Sequence, residues 1–210
     1  MQEPDVVVVA AGQGPVVEVP AAPTVLAADG GADRALELGL EIDVVIGDLD
    51  SICPETLARL ERDGVRVLGH PAAKDATDLE LALDEAVALG AHRVLVVASA
   101  AGRLDHLLSS LLLLGLERYA SLELTALVGG AVAWVVRGER RLAGSPGALL
   151  SLFALGGPAR IRTDGLEYPL VDELVDAGSS RGVSNVFLGD TATVRVSEGV
   201  VLALRPGEAS

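Results

Sequence analysis

The chain has few aromatic side chains, one cysteine and one lysine. Aromatic residues make up 2% of the 210 residues, although 50% of the chain is hydrophobic. The core must therefore be built from Val, Leu, Ile and Ala, which suits apolar strands that helices bury on both faces. Because Cys53 is the only cysteine, an intrachain disulfide is excluded and a reducing compartment is expected.

The chain also lacks an excess of positive charge. It carries 16 basic against 30 acidic residues, a formal net charge of −14. Binding to a nucleic-acid backbone requires a basic face, so we expect no nucleic-acid partner. No basic and apolar leader or apolar run of membrane-spanning length occurs in the sequence, so we expect a cytoplasmic protein without a membrane partner.

Apolar runs alternate with helical patterns up to about residue 130, and this alternation predicts a parallel sheet with right-handed crossovers. Predicted strands cover 5–10, 24–28, 44–46, 65–68, 93–98 and 123–128, and the main predicted helices cover 54–63, 77–89 and 104–119. Later apolar segments are short and separated by Gly, Pro and Asp, at 132–136, 149–154, 159–162, 192–196 and 200–204. We therefore predict an α/β fold, with an N-terminal parallel-sheet α/β domain over 1–130 and a small C-terminal antiparallel β-sandwich domain over 131–210.

Polar motifs follow the predicted parallel strands. They are A-G-Q-G-P at 11–15, D-G-G-A at 29–32, G-D-L-D-S at 47–51, K-D-A-T-D at 74–78 and A-G-R-L-D-H at 101–106. In open α/β sheets, ligands bind beyond the carboxyl ends of the strands. Five such loops on one edge predict a single site there.

The motif G-D-L-D-S places Asp48 and Asp50 two residues apart after an apolar run. In an extended segment, alternate side chains point the same way, so both carboxylates are expected to face one point. Two anions in that position favour a hard cation between them. A polar strand end followed by a turn is the alternative, because Asp, Gly and Ser all form turns.

The motif K-D-A-T-D places Asp75 and Asp78 three residues apart at a helix start, where they can share a face. The alternative is purely structural: Asp75 or Thr77 caps the helix and Asp78 is favoured by the helix dipole. Lys74 stands directly before these acids, and its compact charge suits phosphate oxygens.

Two further segments contain candidates. In A-G-R-L-D-H, Arg103 offers a guanidinium fork for phosphate, and Asp105 begins a helix. In R-G-V-S-N, Ser184 and Asn185 stand in a polar turn before a strand, which by itself predicts only a turn.

Taken in order, six motifs of the chain resemble the thiamine pyrophosphokinase family. They are D-G-G-A, G-D-L-D-S, K-D-A-T-D, G-R-L-D-H, T-D-G-L-E-Y-P-L (163–170) and G-V-S-N. The resemblance covers nearly the whole chain. It implies an N-terminal α/β domain, a C-terminal β-sandwich and a homodimer with sites at the subunit interface. It also implies transfer of the diphosphoryl group of ATP to the hydroxyl of thiamine, which gives thiamine diphosphate and AMP.

The resemblance assigns roles to particular residues. Mg²⁺ would be held by four carboxylates, those of Asp48, Asp50, Asp75 and Asp78. Lys74 and Arg103 would offset the negative charge of the phosphates that are transferred. Asp29, Gly30 and Gly31 would lie close to the nucleotide. Asp105 would orient a substrate. Ser184 and Asn185 would contact thiamine.

The sequence departs from the family pattern at two positions. Ala101 replaces a glycine that many relatives have before G-R-L-D-H, and Val186 stands where bacterial relatives often carry an acid. The residues expected to contact thiamine therefore match the family pattern less fully than those expected to bind magnesium and ATP. Alternatives are a pyrophosphokinase for another alcohol such as a hydroxymethylpterin, a metal-dependent phosphatase with Asp48 as nucleophile, and a non-catalytic nucleotide or thiamine sensor.

Overall fold

The fold is described from a computed structural model, which covers residues 3–14, 18–73 and 75–207. The chain divides into two compact units, one formed by 2–110 with 126–129 and the other by 111–125 with 130–210. The segment 111–125, which the sequence analysis places in the first domain, thus groups with the second unit. Strand β6 (Glu123–Val128) is shared between these groups of residues.

The first unit is built on a parallel sheet. Its strands are β1 (Val6–Ala10), β2 (Thr24–Ala28), β3 (Val44–Gly47), β4 (Arg66–Gly69) and β5 (Arg93–Ala98). They lie in the order β5-β1-β2-β3-β4, and each neighbouring pair is parallel. The predicted parallel sheet is confirmed.

Two helices, α1 (Gly31–Glu37) and α3 (Asp78–Ala88), cover this sheet, as the apolar strands require. The other helices are α2 (Pro54–Arg62) and α4 (Leu104–Leu113). α1 packs on β1 and β2, while α3 packs on β1, β2 and β3. Val6–Val9 are buried along their whole length because neither face of the strand meets water. Within the described part of the chain, no helix is long and apolar enough to cross a membrane.

Asp5 fastens the start of β1 to the start of β5. Its carboxylate accepts hydrogen bonds from the backbone N–H of His92 (3.0 Å) and from the backbone and guanidinium of Arg93 (2.9 and 3.0 Å). These donors hold the pKa of Asp5 at about 2, below the ordinary 3.8, with the Arg93 backbone as the largest cause. The charged form is therefore favoured in the folded protein.

We expect Asp5→Asn to lower the melting temperature at pH 7. Because the pKa is lowered on folding, the stabilisation is present above pH 3.8 and is lost as the pH falls through about 2. The gap between wild type and variant should therefore narrow on acidification, as measured by thermal unfolding from pH 7 to pH 2. A gap that is independent of pH would contradict the ionic role of Asp5.

The second unit is antiparallel. Its strands are β7 (Ala131–Ala143), β8 (Leu149–Ala154), β9 (Ala159–Asp164), β10 (Glu173–Val175), β11 (Asn185–Val186) and β12 (Thr191–Arg205). β12 pairs with β7 along its length, with β9 through its first half and with β8 through its second half. Alternate residues of these strands, such as Trp134, Leu152 and Ile161, pack into one core together with Phe187, which follows β11.

Three element boundaries differ from the predicted ones. The helix predicted over 104–119 ends at Leu113, because the chain turns tightly at Gly115, where a side chain would meet Leu155 at 2.7 Å. The segments 192–196 and 200–204 form one strand, and β7 extends to Ala143. Gly138 (φ 89°) and Gly199 (φ 81°) lie within strands instead of ending them, and the β12 register shifts between Val196 and Val201.

Candidate functional site

Three aspartates meet at the carboxyl edge of the parallel sheet. Asp29 follows β2, Asp48 follows β3 and Asp78 is the first residue of α3. One carboxylate oxygen from each lies within 4.8 Å of the others. We refer to Asp29, Asp48 and Asp78 as the three-aspartate cluster. Three oxygen donors in this arrangement form a set that a hard divalent cation prefers.

The backbone around Asp29 and Gly47 brings the cluster together. The N–H of Asp29 donates to the carbonyl of Ile46 at 2.8 Å, which ties the end of β2 to β3. Asp29 has a φ of 47°, a left-handed conformation that aspartate tolerates better than most residues. A Cβ at Gly47 would lie 2.8 Å from the Cβ of Asp29 and 2.9 Å from Oδ1 of Asp78. Glycine at position 47 is therefore a condition for the cluster.

The third acid is positioned by a helix cap. The backbone N–H of Glu80 donates to Oγ1 of Thr77 at 3.2 Å, which makes Thr77 the N-cap of α3. Asp78 consequently stands in the first helical turn, where the helix dipole stabilises a carboxylate. The prediction that Thr77 caps the helix is thus confirmed, and this cap is compatible with Asp78 being part of the three-aspartate cluster.

The cluster places two partly exposed carboxylates, those of Asp48 and Asp78, beside the buried carboxylate of Asp29. Asp29 is only 4% exposed. Burial raises the pKa of Asp29 above its ordinary value, the hydrogen bonds from Ser51 oppose this rise, and the charge of Asp78 adds to it. A bound cation would offset both the burial cost and the repulsion.

We expect Asp29→Asn to raise the melting temperature of the metal-free protein at pH 7. Asparagine keeps an oxygen for the Ser51 N–H and tolerates the left-handed backbone, while it removes the desolvated charge. Because the pKa of Asp29 is raised on folding, its contribution to stability is lost as the pH rises above 3.8, so the gain should grow with pH. Thermal unfolding in EDTA measures this gain. Asp63→Asn, at an exposed carboxylate, is the control, and a lower melting temperature for Asp29→Asn would contradict the repulsion.

Asp50 and Asp75 do not belong to the three-aspartate cluster, and both are exposed. The expectation that Asp48 to Asp50 is extended is wrong, because β3 ends at Gly47 and Leu49 has a φ of 66°. Asp75 precedes the first residue of α3, so the shared helix face with Asp78 does not form either. Their roles as magnesium ligands stay predictions, and those roles no longer rest on the spacing argument.

The structure places the remaining candidates of the first unit as follows. Arg103 and Asp105 are exposed and form a two-point ion pair, with Nη2–Oδ2 at 2.6 Å and Nε–Oδ1 at 3.1 Å. This pairing lowers the pKa of Asp105 to about 2. A Cβ at Gly31 would lie 2.0 Å from the carbonyl oxygen of Val9, so the absence of a side chain there is first a packing requirement. Gly30 lies beside Ser51 at the start of α1, and Lys74 lies outside the described residues.

Ser184 ends the turn before β11, as predicted, whereas Asn185 is the first residue of β11. Asn185 is 4% exposed, and its amide accepts from the N–H of Tyr168 (3.0 Å) and donates to the carbonyl of Tyr168 (2.7 Å). Ser184 is exposed with a φ of 58°, and its N–H donates to Oγ of Ser151 at 3.1 Å. Asn185 therefore holds two segments of the second unit together, whereas the Ser184 side chain faces solvent.

Sequence reasoning gave Asp29 to the nucleotide and missed it as a candidate metal ligand. The signal was present, because Asp29 follows β2 as Asp48 follows β3, and adjacent parallel strands end side by side. The fold and the cluster together define an α/β protein with an acidic, oxygen-rich site at the carboxyl edge of its sheet.

Comparisons with known proteins identify the family. Residues 18–125 match the model described as "Thiamin pyrophosphokinase, catalytic domain", and residues 139–201 match "Thiamin pyrophosphokinase, vitamin B1 binding domain". The chain belongs to the thiamin pyrophosphokinase family.

Individual relatives agree with this assignment. The chain is 34% identical to the thiamine pyrophosphokinase of Bacillus subtilis over 86 residues, which is 41% of this chain and 40% of that relative. A solved thiamin pyrophosphokinase from Geobacillus thermodenitrificans is 25% identical, with a TM-score of 0.79 and 98% of both chains covered. A thiamin pyrophosphokinase family protein from Enterococcus faecalis has the same fold, with a TM-score of 0.82 at 21% identity over 97% of this chain and 99% of that one.

Proposed function

We propose that this protein is a magnesium-dependent thiamine pyrophosphokinase, which converts ATP and thiamine into AMP and thiamine diphosphate. The observation that carries the proposal is the three-aspartate cluster at the ligand-binding edge of a sheet in a member of this family. The family models also match both halves of the chain, including the part described as vitamin B1 binding.

The residues present fit a magnesium ion. The donors are carboxylate oxygens, which Mg²⁺ prefers, and one of them is buried with a raised pKa, so a positive charge beside it would be stabilising. Asp29, Asp48 and Asp78 would hold the ion, which supplies charge neutralisation for the polyphosphate when bound. Octahedral Mg²⁺ usually keeps water and phosphate ligands beside a few carboxylates, so three protein oxygens suffice.

In the proposed reaction, the hydroxyl oxygen of thiamine bonds to the β-phosphorus of ATP. The bond from that phosphorus to the bridging α,β-oxygen breaks, AMP leaves with this oxygen, and the hydroxyl proton passes to solvent or a base. Such a transfer depends mainly on positioning and charge compensation. The chain contributes a rigid strand edge for the acids, while Arg103 and Lys74 remain predicted partners of the phosphates.

Product analysis tests the proposal. Incubation with Mg²⁺, ATP and thiamine should give thiamine diphosphate and AMP in equal amounts, measured by chromatography, and EDTA should stop the reaction. Parallel reactions with a hydroxymethylpterin instead of thiamine examine the alternative acceptor. Release of inorganic phosphate without AMP, or transfer only to the pterin, would overturn the proposal.

We also propose a homodimer with its sites at the subunit interface. One face of α4 supports this, because Leu104, Leu108 and Leu112 are 75%, 55% and 50% exposed and follow one another at four-residue spacing. Leu108→Glu should convert dimer into monomer in sedimentation analysis. Ser109→Glu, at the next exposed position of the same helix, is the matched control. A monomeric wild type would contradict the proposal.

A further inference from the structure

Asp33 of α1 is not a member of the three-aspartate cluster, yet it holds the segment that follows β3. We refer to residues 48–53, between the end of β3 and the start of α2, as the β3–α2 loop. The backbone N–H of Cys53 donates to Oδ2 of Asp33 at 2.9 Å, and the hydroxyl of Thr56 donates to Oδ1 at 2.6 Å. Both carboxylate oxygens of Asp33 thus fasten α1 to the start of α2.

The start of α2 depends on this contact because it has no cap of its own. Cys53 is the N-cap residue, and its side chain makes no capping hydrogen bond. The first backbone N–H groups of a helix have no partner within the helix. Asp33 supplies an acceptor from a different helix, and its negative charge is favoured at the positive end of the α2 dipole.

The residues just before Asp33 contact the same loop closer to the cluster. Asp29 stands four residues earlier, and its Oδ1 accepts a hydrogen bond from the backbone N–H of Ser51 at 3.4 Å. A Cβ at Gly30 would lie 3.1 Å from the carbonyl oxygen of Ser51, so the loop passes close to the start of α1. The loop is therefore held at Ser51 by a member of the cluster and, two residues later, at Cys53 by Asp33.

The β3–α2 loop contains a strained turn beside one of the cluster acids. Leu49 has a φ of 66°, a conformation that leucine rarely adopts, and Asp48 directly precedes it. Strained backbone persists only where the surrounding structure fixes it. Ile52, which is 4% exposed, anchors the loop by packing, and the hydrogen bonds to Asp33 fix the end of the loop.

We infer that Asp33 is a positioning residue for divalent-cation binding at the three-aspartate cluster. By fastening the end of the β3–α2 loop, it fixes the Ser51 N–H that orients Asp29. It also holds the turn that directs Asp48. A cation then meets ligands that are already arranged, whereas a loose loop would have to become ordered on binding. The inference rests on the proposed function for the identity of the ligand.

Binding of Mn²⁺ alone, measured by electron paramagnetic resonance of the free ion, tests this role without nucleotide or turnover. Mn²⁺ accepts the same octahedral sites of carboxylate oxygens as Mg²⁺. Asp33→Ala removes both contacts and should weaken Mn²⁺ binding about tenfold, the lower end of the loss typical for partners of metal ligands. Thr56→Val removes one contact and should give a smaller loss.

Asp33→Asn separates the hydrogen bonds from the charge. Its amide oxygen can accept from the Cys53 N–H, and its amide nitrogen can donate to the Thr56 hydroxyl, which accepts as well as donates. We therefore expect Mn²⁺ affinity within about twofold of wild type, a rescue relative to Asp33→Ala. An Asp33→Asn variant as weak as Asp33→Ala would overturn the inference, because the charge alone would then account for the loss.

Asp5→Asn is the control for a general loss of stability. Asp5 fastens β1 to β5 at the opposite, amino edge of the same sheet, so this variant should have a lower melting temperature and unchanged Mn²⁺ affinity. Equal weakening of Mn²⁺ binding in Asp5→Asn and Asp33→Ala would overturn the positioning role. Wild-type affinity in Asp33→Ala would overturn it as well.

The outcomes separate this inference from the proposed function. A wild type that binds no Mn²⁺ at millimolar concentration would overturn the positioning role, whereas product analysis decides the proposed function. Asp33-dependent Mn²⁺ binding in a protein that makes no thiamine diphosphate would support the positioning role and sink only the proposed function. Synthesis of thiamine diphosphate together with wild-type Mn²⁺ affinity in Asp33→Ala would do the reverse.

Discussion

Asp78→Asn is expected to reduce the formation of thiamine diphosphate at least about 100-fold, on the scale of losing one preorganised electrostatic contact. The substitution keeps the size of the side chain and removes one negative charge from a cluster whose oxygens lie within 4.8 Å. Asp48→Asn should act in the same direction. The apparent Mg²⁺ requirement should rise in both variants, as measured by titrating the reaction with MgCl₂.

The fold should survive these substitutions. Thr77 still caps α3, and removal of a charge near the buried Asp29 relieves repulsion, so the melting temperature in EDTA should be unchanged or higher. Asp63→Asn, at an exposed carboxylate of the same unit that pairs with Arg59, should retain full activity. Near-normal turnover of Asp78→Asn would contradict the assignment of a metal to the cluster.

Gly31→Ala is expected to lower the free energy of unfolding by about 2 kcal/mol, within the range for overpacking a close contact. The added Cβ would lie 2.0 Å from the carbonyl oxygen of Val9 and 2.8 Å from its carbonyl carbon. Both contacts are with backbone atoms, which cannot turn aside as a side chain can, so α1 must shift away from β1. Alanine gains about 1 kcal/mol of helix propensity over glycine, and this gain does not offset such a shift.

Urea unfolding followed by circular dichroism measures this loss. Gly14→Ala is the control in the same unit, because a Cβ there meets nothing within 4 Å, and it should stay within about 0.5 kcal/mol of wild type. Equal stability of Gly31→Ala and wild type would mean that α1 does not pack on Val9 this closely. Because Asp29 lies only two residues before Gly31, we also expect a shifted α1 to reduce activity.

Local patterns predicted the bounds of several strands well. β2, β5, β6 and β8 begin and end at the predicted residues, because continuous apolar runs between polar motifs leave little choice of boundary. The second unit was harder to predict. The predicted segments stop short of Gly138 and Gly199, whereas pairing with neighbouring strands continues on both sides of each glycine.

The sequence predicted the location of the candidate site correctly, but only some of the aspartates that form it. Asp48 and Asp78 are in the three-aspartate cluster, and Asp29 joins them. Spacing along the chain suggested Asp50 and Asp75, yet the left-handed Leu49 and the cap at Thr77 turn the chain at both places. A sequence shows how far apart two acids are along the chain, and the backbone angles between them decide which way they point.

The sequence by itself determined that the chain has an α/β architecture with its polar loops at one sheet edge, because apolar periodicity dictates which segments are buried and the polar residues stand where those segments end. Tertiary structure alone decided which acids meet. It placed β2 beside β3, so that Asp29, Asp48 and Asp78 converge from distant parts of the chain, and it placed β5 beside β1 although three strands separate them in the sequence. Strand order follows from packing between segments far apart in the chain, and no local pattern records it.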